Sequence, residues 1–173
     1  MPIGIAPTAM HRLAHIDGEE ATSRAAAGMG LPMCLSSYGN TSLENVKLQG
    51  NGNPYMMQMC VVKDRDITRQ LIQRARAAGY RAFFVSVDVP VLGRRLNEMR
   101  NNFTLPDDLA FPNILSSGGD EFASDEETKA NGPQAFDDTL EWEEAIPWLK
   151  EQAGDMEVWL KGGKSKSERH GKC

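Results

Sequence analysis

Over the first ninety residues, short apolar runs alternate with stretches whose apolar residues recur at helical spacing. That alternation predicts βα units and a parallel sheet. Residues 3–6 read as a buried strand that halts at Pro7. Asp17-Gly18-Glu19-Glu20 has capping-box spacing, so a helix is expected from there to Ala27, with Gly28 and Gly30 as terminators. Residues 33–35 form a second short strand and 42–46 a short helix behind it. Residues 55–62 make a third strand, apolar throughout except for Gln58. A polar side chain in a buried strand needs a partner, which singles out Gln58.

The strongest helical period covers about residues 66–78. There Ile67, Leu71, Ala75 and Ala78 line one face, and Gly79 sits at the C′ position. Residues 82–87 read as a fourth strand, and Ser86-Val87-Asp88-Val89-Pro90 puts a hydroxyl and a carboxylate at its carboxyl end. Barrels and doubly wound sheets alike build their sites at that edge. The rhythm then breaks as far as about Thr139. Residues 119–144 carry ten acids and a single base, Lys129, with Gly118-Gly119 and Gly132-Pro133 as breakers. An acidic loop over about 107–138 is therefore expected to be a solvated excursion. Order returns over 140–152, where Pro147 suits the first residue of a helical segment. Residues 156–160 read as a fifth strand, with Lys161 at its carboxyl end. From Gly162 the chain turns to Gly, Ser and basic residues, and 163–173 are expected to be a disordered tail.

Composition narrows the function classes. A net charge of −5 argues against a nucleic-acid partner held by general electrostatics. No apolar run reaches transmembrane length, and Met1-Pro2-Ile3-Gly4-Ile5 is not a secretory signal, so no membrane partner is expected and the reading is intracellular. Cys34, Cys60 and Cys173 fit neither a disulfide framework nor a zinc spacing. His11 and His15 are four apart, yet no zincin Glu lies between them and no third ligand is near, so no metal is expected. There is neither a P-loop nor a G-x-G-x-x-G. His170 lies in the basic tail.

The order of motifs is more specific than any one of them. Pro2-Ile3-Gly4-Ile5-Ala6-Pro7-Thr8-Ala9-Met10 and His15-Ile16-Asp17-Gly18-Glu19 are followed by Leu35-Ser36-Ser37 and the Gln58 strand. Next come Lys63-Asp64-Arg65-Asp66, Val87-Asp88-Val89-Pro90-Val91-Leu92-Gly93-Arg94-Arg95, Arg100-Asn101-Asn102-Phe103 and Leu160-Lys161-Gly162. The series resembles the FMN-dependent 2-hydroxy-acid oxidases and dehydrogenases, the group of glycolate oxidase, lactate oxidase and flavocytochrome b2. It runs nearly unbroken over 2–106 and patchily over 139–162.

The resemblance implies an α/β fold, a partial TIM (β/α)8 barrel comprising roughly the first four to five βα units over residues 1–162. It implies FMN as cofactor and a small-molecule 2-hydroxy acid as substrate, oxidised to a 2-oxo acid. Pro7, Thr8 and Ala9 match the loop against the flavin ring. Ser36, Gln58 and Ser86 match polar groups that hydrogen-bond the ring, and Lys161 matches the lysine that offsets its negative charge after reduction. Arg95 matches an arginine near the substrate, with a salt bridge to the acidic loop as its plainer alternative. Asp88 matches the carboxylate that orients a catalytic histidine.

Two positions depart from the family pattern. Cys60 stands where a substrate-binding tyrosine is usual, and Ser86 where threonine is usual. Tyr38 occupies a variable, often aromatic position lining the pocket. The base histidine, the carboxylate-clamping arginine and the phosphate-binding loops would follow Lys161, and a substrate tyrosine would precede Met1. The sequence is thus expected to be truncated at both ends and inactive alone. A non-catalytic remnant acting as an interaction partner, and a half-barrel that dimerises, are the alternatives. The family also implies a homo-oligomer and a cytoplasmic or peroxisomal location.

Overall fold

The computed structural model describes residues 3–50, 52–88, 93–114 and 135–163. Val89-Pro90-Val91-Leu92, Gly118-Gly119, Lys129, Gly132-Pro133, His170, Cys173 and the 164–173 part of the basic tail lie outside the described residues.

Four parallel strands form one sheet in sequence order: β1 (Met33–Ser36), β2 (Tyr55–Met59), β3 (Ala82–Ser86) and β4 (Glu157–Lys161). The helices are α1 (Gly18–Gly28), which precedes β1, and between the strands α2 (Leu43–Leu48), α3 (Arg65–Ala77), α4 (Leu96–Arg100) and α5 (Trp142–Ala153). Each βα connection returns to the neighbouring strand, which is how a barrel wall is built.

The register fixes which side chains share a face. Leu35, Met57, Phe83 and Val158 are paired across the sheet, as are Met59 and Val85. With Met33 and Tyr55 these residues face the helices and join Leu71, Ile72, Ala75 and Leu149 in the main core. Ser36, Gln58, Phe84, Ser86, Trp159 and Lys161 take the other face by the same pairing, because side chains alternate along a strand. Truncating a wholly buried residue such as Phe83 would cost about 3–5 kcal/mol.

α3 shows why local pattern and tertiary packing agree here. Asp64 caps it, accepting from the Asp66 amide at 2.9 Å, and Ile67, Leu71, Ile72 and Ala75 are buried. Gly79 takes φ +79°, ending the helix as its sequence position foretold. α5 is held against α3 by Arg65, which pairs with Asp137 at 2.9 Å and lies over the Trp148 ring at 4.9 Å.

Four local expectations are corrected. The strand expected over 3–6 is a single parallel bridge, Ile5 to Met33, at the edge of the sheet. β2 stops at Met59, and Val62 then bridges antiparallel to Phe136, with Lys63 N–H donating to Ala135 and Asp137 N–H to Val61. Pro147 lies inside α5 and does not begin a segment. Its missing amide leaves the Glu143 carbonyl, four residues back, without its intrahelical donor. The capping box does not form: Asp17 makes no side-chain cap and instead pairs with Arg24 at 2.9 Å. Both described ends of the acidic stretch are anchored. Asn113, 2% exposed, accepts from the Leu43 amide at 2.8 Å and donates to the Thr41 carbonyl at 3.0 Å, and Asp137 holds Arg65.

Candidate active site

The carboxyl ends of the strands bring the sequence-flagged polar residues together. Ser36 ends β1, Gln58 is next to last in β2, Ser86 ends β3 and Lys161 ends β4. All four point from the same sheet face, since Ser36 pairs with Gln58 and Ser86 with Lys161, and Ser86 lies two residues beyond the partner of Gln58. At about 4.8 Å between strands, this row of donors is roughly 14 Å long.

Gln58 is 8% exposed, and its Nε2 donates to Ser86 Oγ at 3.0 Å, with a longer contact to Cys60 Sγ at 3.9 Å. The partner that the interrupted apolar strand required is therefore Ser86. Ser36 Oγ accepts from the Tyr38 amide at 3.2 Å, which turns the chain over the end of β1. Lys161 is exposed and, among the described residues, forms no ion pair.

Cys60 lies at the same edge. Burial raises its thiol pKa, hydrogen bonding to Ser86 lowers it, and the charges of Asp88 and Lys161 act in opposite directions. Cys34, beneath Ser36 on the same face, is pushed up to about 12 by burial, with a smaller opposing effect from Lys161. Tyr38 has its phenol held well above the ordinary value by burial and then by Cys60, with Arg95 pulling the other way. Tyr38 also meets Phe111 edge to face at 5.7 Å. Arg95 stands at the N-cap position of α4 without a side-chain cap and is exposed; among the described residues it pairs with Glu98 at 3.0 Å. Asp88 packs on Gly162, where an added Cβ would come within 2.5 Å of Asp88 Cβ.

Pro7, Thr8 and Ala9 form the loop that leaves the Ile5 bridge and enters a short 3-10 helix (His11–Leu13). Met10 takes a left-handed φ of 57°, and its amide donates to the Tyr38 carbonyl at 3.2 Å, so this loop and the one after β1 are joined. The two histidines have structural partners: His11 Nδ1 meets Thr22 Oγ1 at 3.1 Å, and His15 Nδ1 accepts from the Asp17 amide at 3.2 Å. Among the described residues no cluster of His, Cys, Asp and Glu could hold a metal ion, and no helix is long and apolar enough to cross a membrane. A cleft of about 200 Å³ also opens between the sheet and α5, with Cys60, Ser86, Val87, Phe136 and Trp142 on its walls.

Sequence reasoning gave Glu19 no role. It is wholly buried and accepts three hydrogen bonds, from His11, Asn40 and Thr41. Its sequence signal is its place in the His15-Ile16-Asp17-Gly18-Glu19 motif, since the capping-box spacing from Asp17 falls on Glu20.

The pattern of an FMN-dependent dehydrogenase matches residues 1–168. The chain belongs to that family. It is 43% identical over 170 residues to oxidase FUB9 of Fusarium oxysporum f. sp. lycopersici, a match covering 94% of this chain and 42% of the relative. Against human 2-hydroxyacid oxidase 1 it is 41% identical over 155 residues, covering 87% of this chain and 42% of that one. Among solved structures, a mandelate oxidase variant with the C4a-OH-FMN adduct superposes with a TM-score of 0.75 at 30% identity, covering 95% of this chain and 43% of that one. The chain thus spans about two fifths of the length of these relatives. Its four-stranded parallel sheet with flanking helices is part of a TIM-barrel flavoenzyme fold, its family is one of oxidoreductases, and the family cofactor is FMN.

The residues present fit that cofactor. A flat heteroaromatic ring with alternating donors and acceptors along one edge needs a row of neutral hydrogen-bonding groups ending in a cation. Hydroxyl, amide, hydroxyl and ammonium follow one another across four strands here, beside an apolar face carrying Met56 and Phe84.

Proposed function

We propose that this chain supplies one part of the flavin and substrate site of an FMN-dependent enzyme that oxidises a 2-hydroxy acid to a 2-oxo acid. The observation that carries the reading is the alignment of Ser36, Gln58, Ser86 and Lys161 on one face at the carboxyl edge of the sheet.

In this reading Ser36, Gln58 and Ser86 hydrogen-bond the ring system, and Pro7, Thr8 and Ala9 pack against it. FMN bound there would take up the two electrons and the α-hydrogen that leave when the substrate carbinol becomes a carbonyl. Lys161 places a positive charge at the end of the donor row, where it stabilises added negative charge. Asp88 orients the histidine that accepts the hydroxyl proton, and Arg95 turns from Glu98 toward the substrate carboxylate. Neither His11 nor His15 reaches the sheet edge, since both are engaged at the start of α1. His170 lies in the basic tail outside the described residues, and the family pattern puts the base after Lys161 in a motif this chain does not carry. The base is therefore assigned to a histidine outside these 173 residues, and the chain alone is proposed to be inactive. Cys60 leaves the substrate wall with a small half-buried thiol, so the substrate receives no phenol hydrogen bond from this position.

The purified chain tests both parts. Excess FMN is expected to slow amide exchange over residues 7–10, 36–38 and 157–162, and glycolate, lactate or mandelate to yield no 2-oxo acid. Absence of any such protection overturns the flavin reading. Formation of 2-oxo acid by the chain alone overturns the assignment of the base to residues outside it.

A further inference from the structure

Glu19 sits in the first turn of α1 with no exposed surface, and it reaches three groups on two different segments. Oε1 accepts from the His11 amide at 3.0 Å and from the Asn40 amide at 2.9 Å. Oε2 accepts from the Thr41 hydroxyl at 2.9 Å. A buried carboxylate is costly unless its lone pairs are occupied, and here three donors converge on it near a helix start. The His11 amide belongs to the segment that continues the 7–10 loop. Asn40 and Thr41 belong to the loop that leaves Ser36.

Two further contacts tighten the same junction. The Met10 amide donates to the Tyr38 carbonyl at 3.2 Å, with Met10 held in a left-handed conformation that a side chain disfavours. Gly39 runs directly over the carboxylate, so that an added Cβ would lie 3.3 Å from Glu19 Oε1 and 3.2 Å from the Ser36 carbonyl. Backbone strain of this kind persists where the surroundings hold it in place.

We propose that Glu19 is a positioning residue for the cofactor cradle. Its carboxylate clamps the 7–10 loop to the 36–41 loop, so that Thr8, Ala9 and Ser36 address the same ring. The inference rests on the flavin reading above. It concerns the spacing of two loops and not contact with the ligand, because Glu19 is enclosed by protein on every side.

The geometry separates acceptor placement from charge. In Glu19→Gln the amide oxygen can keep both backbone donors, and the amide nitrogen can donate to Thr41 Oγ1 once that hydroxyl turns. Glu19→Ala leaves two buried N–H groups without an acceptor. Thr41→Val removes one arm and leaves the carboxylate in place.

The test is hydrogen exchange and FMN titration of the full chain carrying each change, with Glu20→Gln as control. In Glu19→Ala, residues 8–13 and 36–42 should exchange at least about tenfold faster and FMN affinity should fall by at least about tenfold, the scale of losing hydrogen bonds to a buried charge. β2 and β3 should keep their protection. Glu19→Gln should stay within about threefold of the parent on both measures, and Thr41→Val should fall between the two. FMN affinity unchanged in Glu19→Ala overturns the inference, as does a Glu19→Gln protein as impaired as Glu19→Ala. If Glu19→Ala unfolds the whole chain, the remaining pair decides: weakened FMN binding in Thr41→Val with Glu19→Gln preserved supports the clamp, and parental affinity in Thr41→Val overturns it. An unsubstituted chain that gains no protection from FMN overturns the flavin reading itself, and the assignment of the clamp to a flavin cradle falls with it.

Discussion

Gln58 on β2 donates to Ser86 on β3 at 3.0 Å, and this bond joins the two central members of the polar row. It has a thermodynamic as well as a functional consequence. Replacing Gln58 by Leu removes the donor to the half-buried Ser86 hydroxyl, which keeps only its contact with Cys60. The net loss is expected to be on the order of 1 kcal/mol in urea unfolding, because apolar burial of Leu offsets part of it. FMN-dependent amide protection at the strand ends should disappear in this variant. Ser86→Thr keeps the hydroxyl and should preserve that protection. A Gln58→Leu protein that retains it would remove Gln58 from the cradle.

Gly162 and Asp88 form a second coupled pair. Gly162 has φ +89°, and a Cβ built there meets Asp88 Cβ at 2.5 Å and Cγ at 2.6 Å. Gly162→Ala must therefore strain the backbone and push the β3 exit away from the end of β4. The expected destabilisation is about 1–3 kcal/mol by urea unfolding. Asp88→Ala in the same background should relieve only part of it, because Asp88 Cβ remains. An unchanged urea midpoint for Gly162→Ala would contradict this packing.

The cysteines give a chemical probe of the same edge. Burial raises both thiols, and Cys34 is pushed up to about 12. The thiolate is the reactive form, so alkylation of either should be slow at neutral pH and accelerate as pH rises. Cys60, the less enclosed of the two, should be modified before Cys34. Because Lys161 lowers the Cys34 pKa, Lys161→Met should slow Cys34 alkylation further. Peptide mass spectrometry after timed iodoacetamide exposure reads each site separately. Faster labelling of Cys34 than of Cys60 would contradict the burial described.

Much of this organisation is legible in the sequence, for identifiable reasons. Buried parallel strands are continuous apolar runs, so β2 and β3 declare themselves, and a lone Gln58 in such a run announces a partner. α3 is legible because its period, its Asp64 cap and Gly79 agree. What was not legible depends on distant chain. The end of β2 cannot be read locally, since Cys60, Val61 and Val62 continue the apolar run; pairing with Phe136 decides it. Glu19 is one residue short of capping-box spacing from Asp17, which falls on Glu20, and two of its three donors lie on the loop after β1. The apolar run at 3–6 forms one bridge and no strand, because at the sheet edge it has a neighbour on one side only. The motif order carried the family, while the roles of individual site residues depend on pairings that no local window contains.

Glu44 and Arg74 make the stability of the α2–α3 contact depend on pH. Arg74 holds Glu44 through two contacts, Nε to Oε1 at 2.9 Å and Nη2 to Oε2 at 2.8 Å, while its remaining arm donates to the Pro112 carbonyl at 2.9 Å. Hydrogen bonding to Arg74 holds the Glu44 carboxyl below its ordinary value, against a smaller opposing effect of burial. A carboxylate with a depressed folded-state pKa stabilises the fold above its ordinary pKa, and that contribution is lost as pH falls through the folded value. Stability should therefore drop on acidification below the ordinary glutamate range. Glu44→Gln should be less stable at neutral pH and show a shallower decline over that acid window. The difference should be modest, because Glu44 is partly exposed and solvent screens the pair. Urea midpoints measured from neutral to acid pH check this, and parallel curves for the two proteins would show that the ion pair contributes nothing to the dependence.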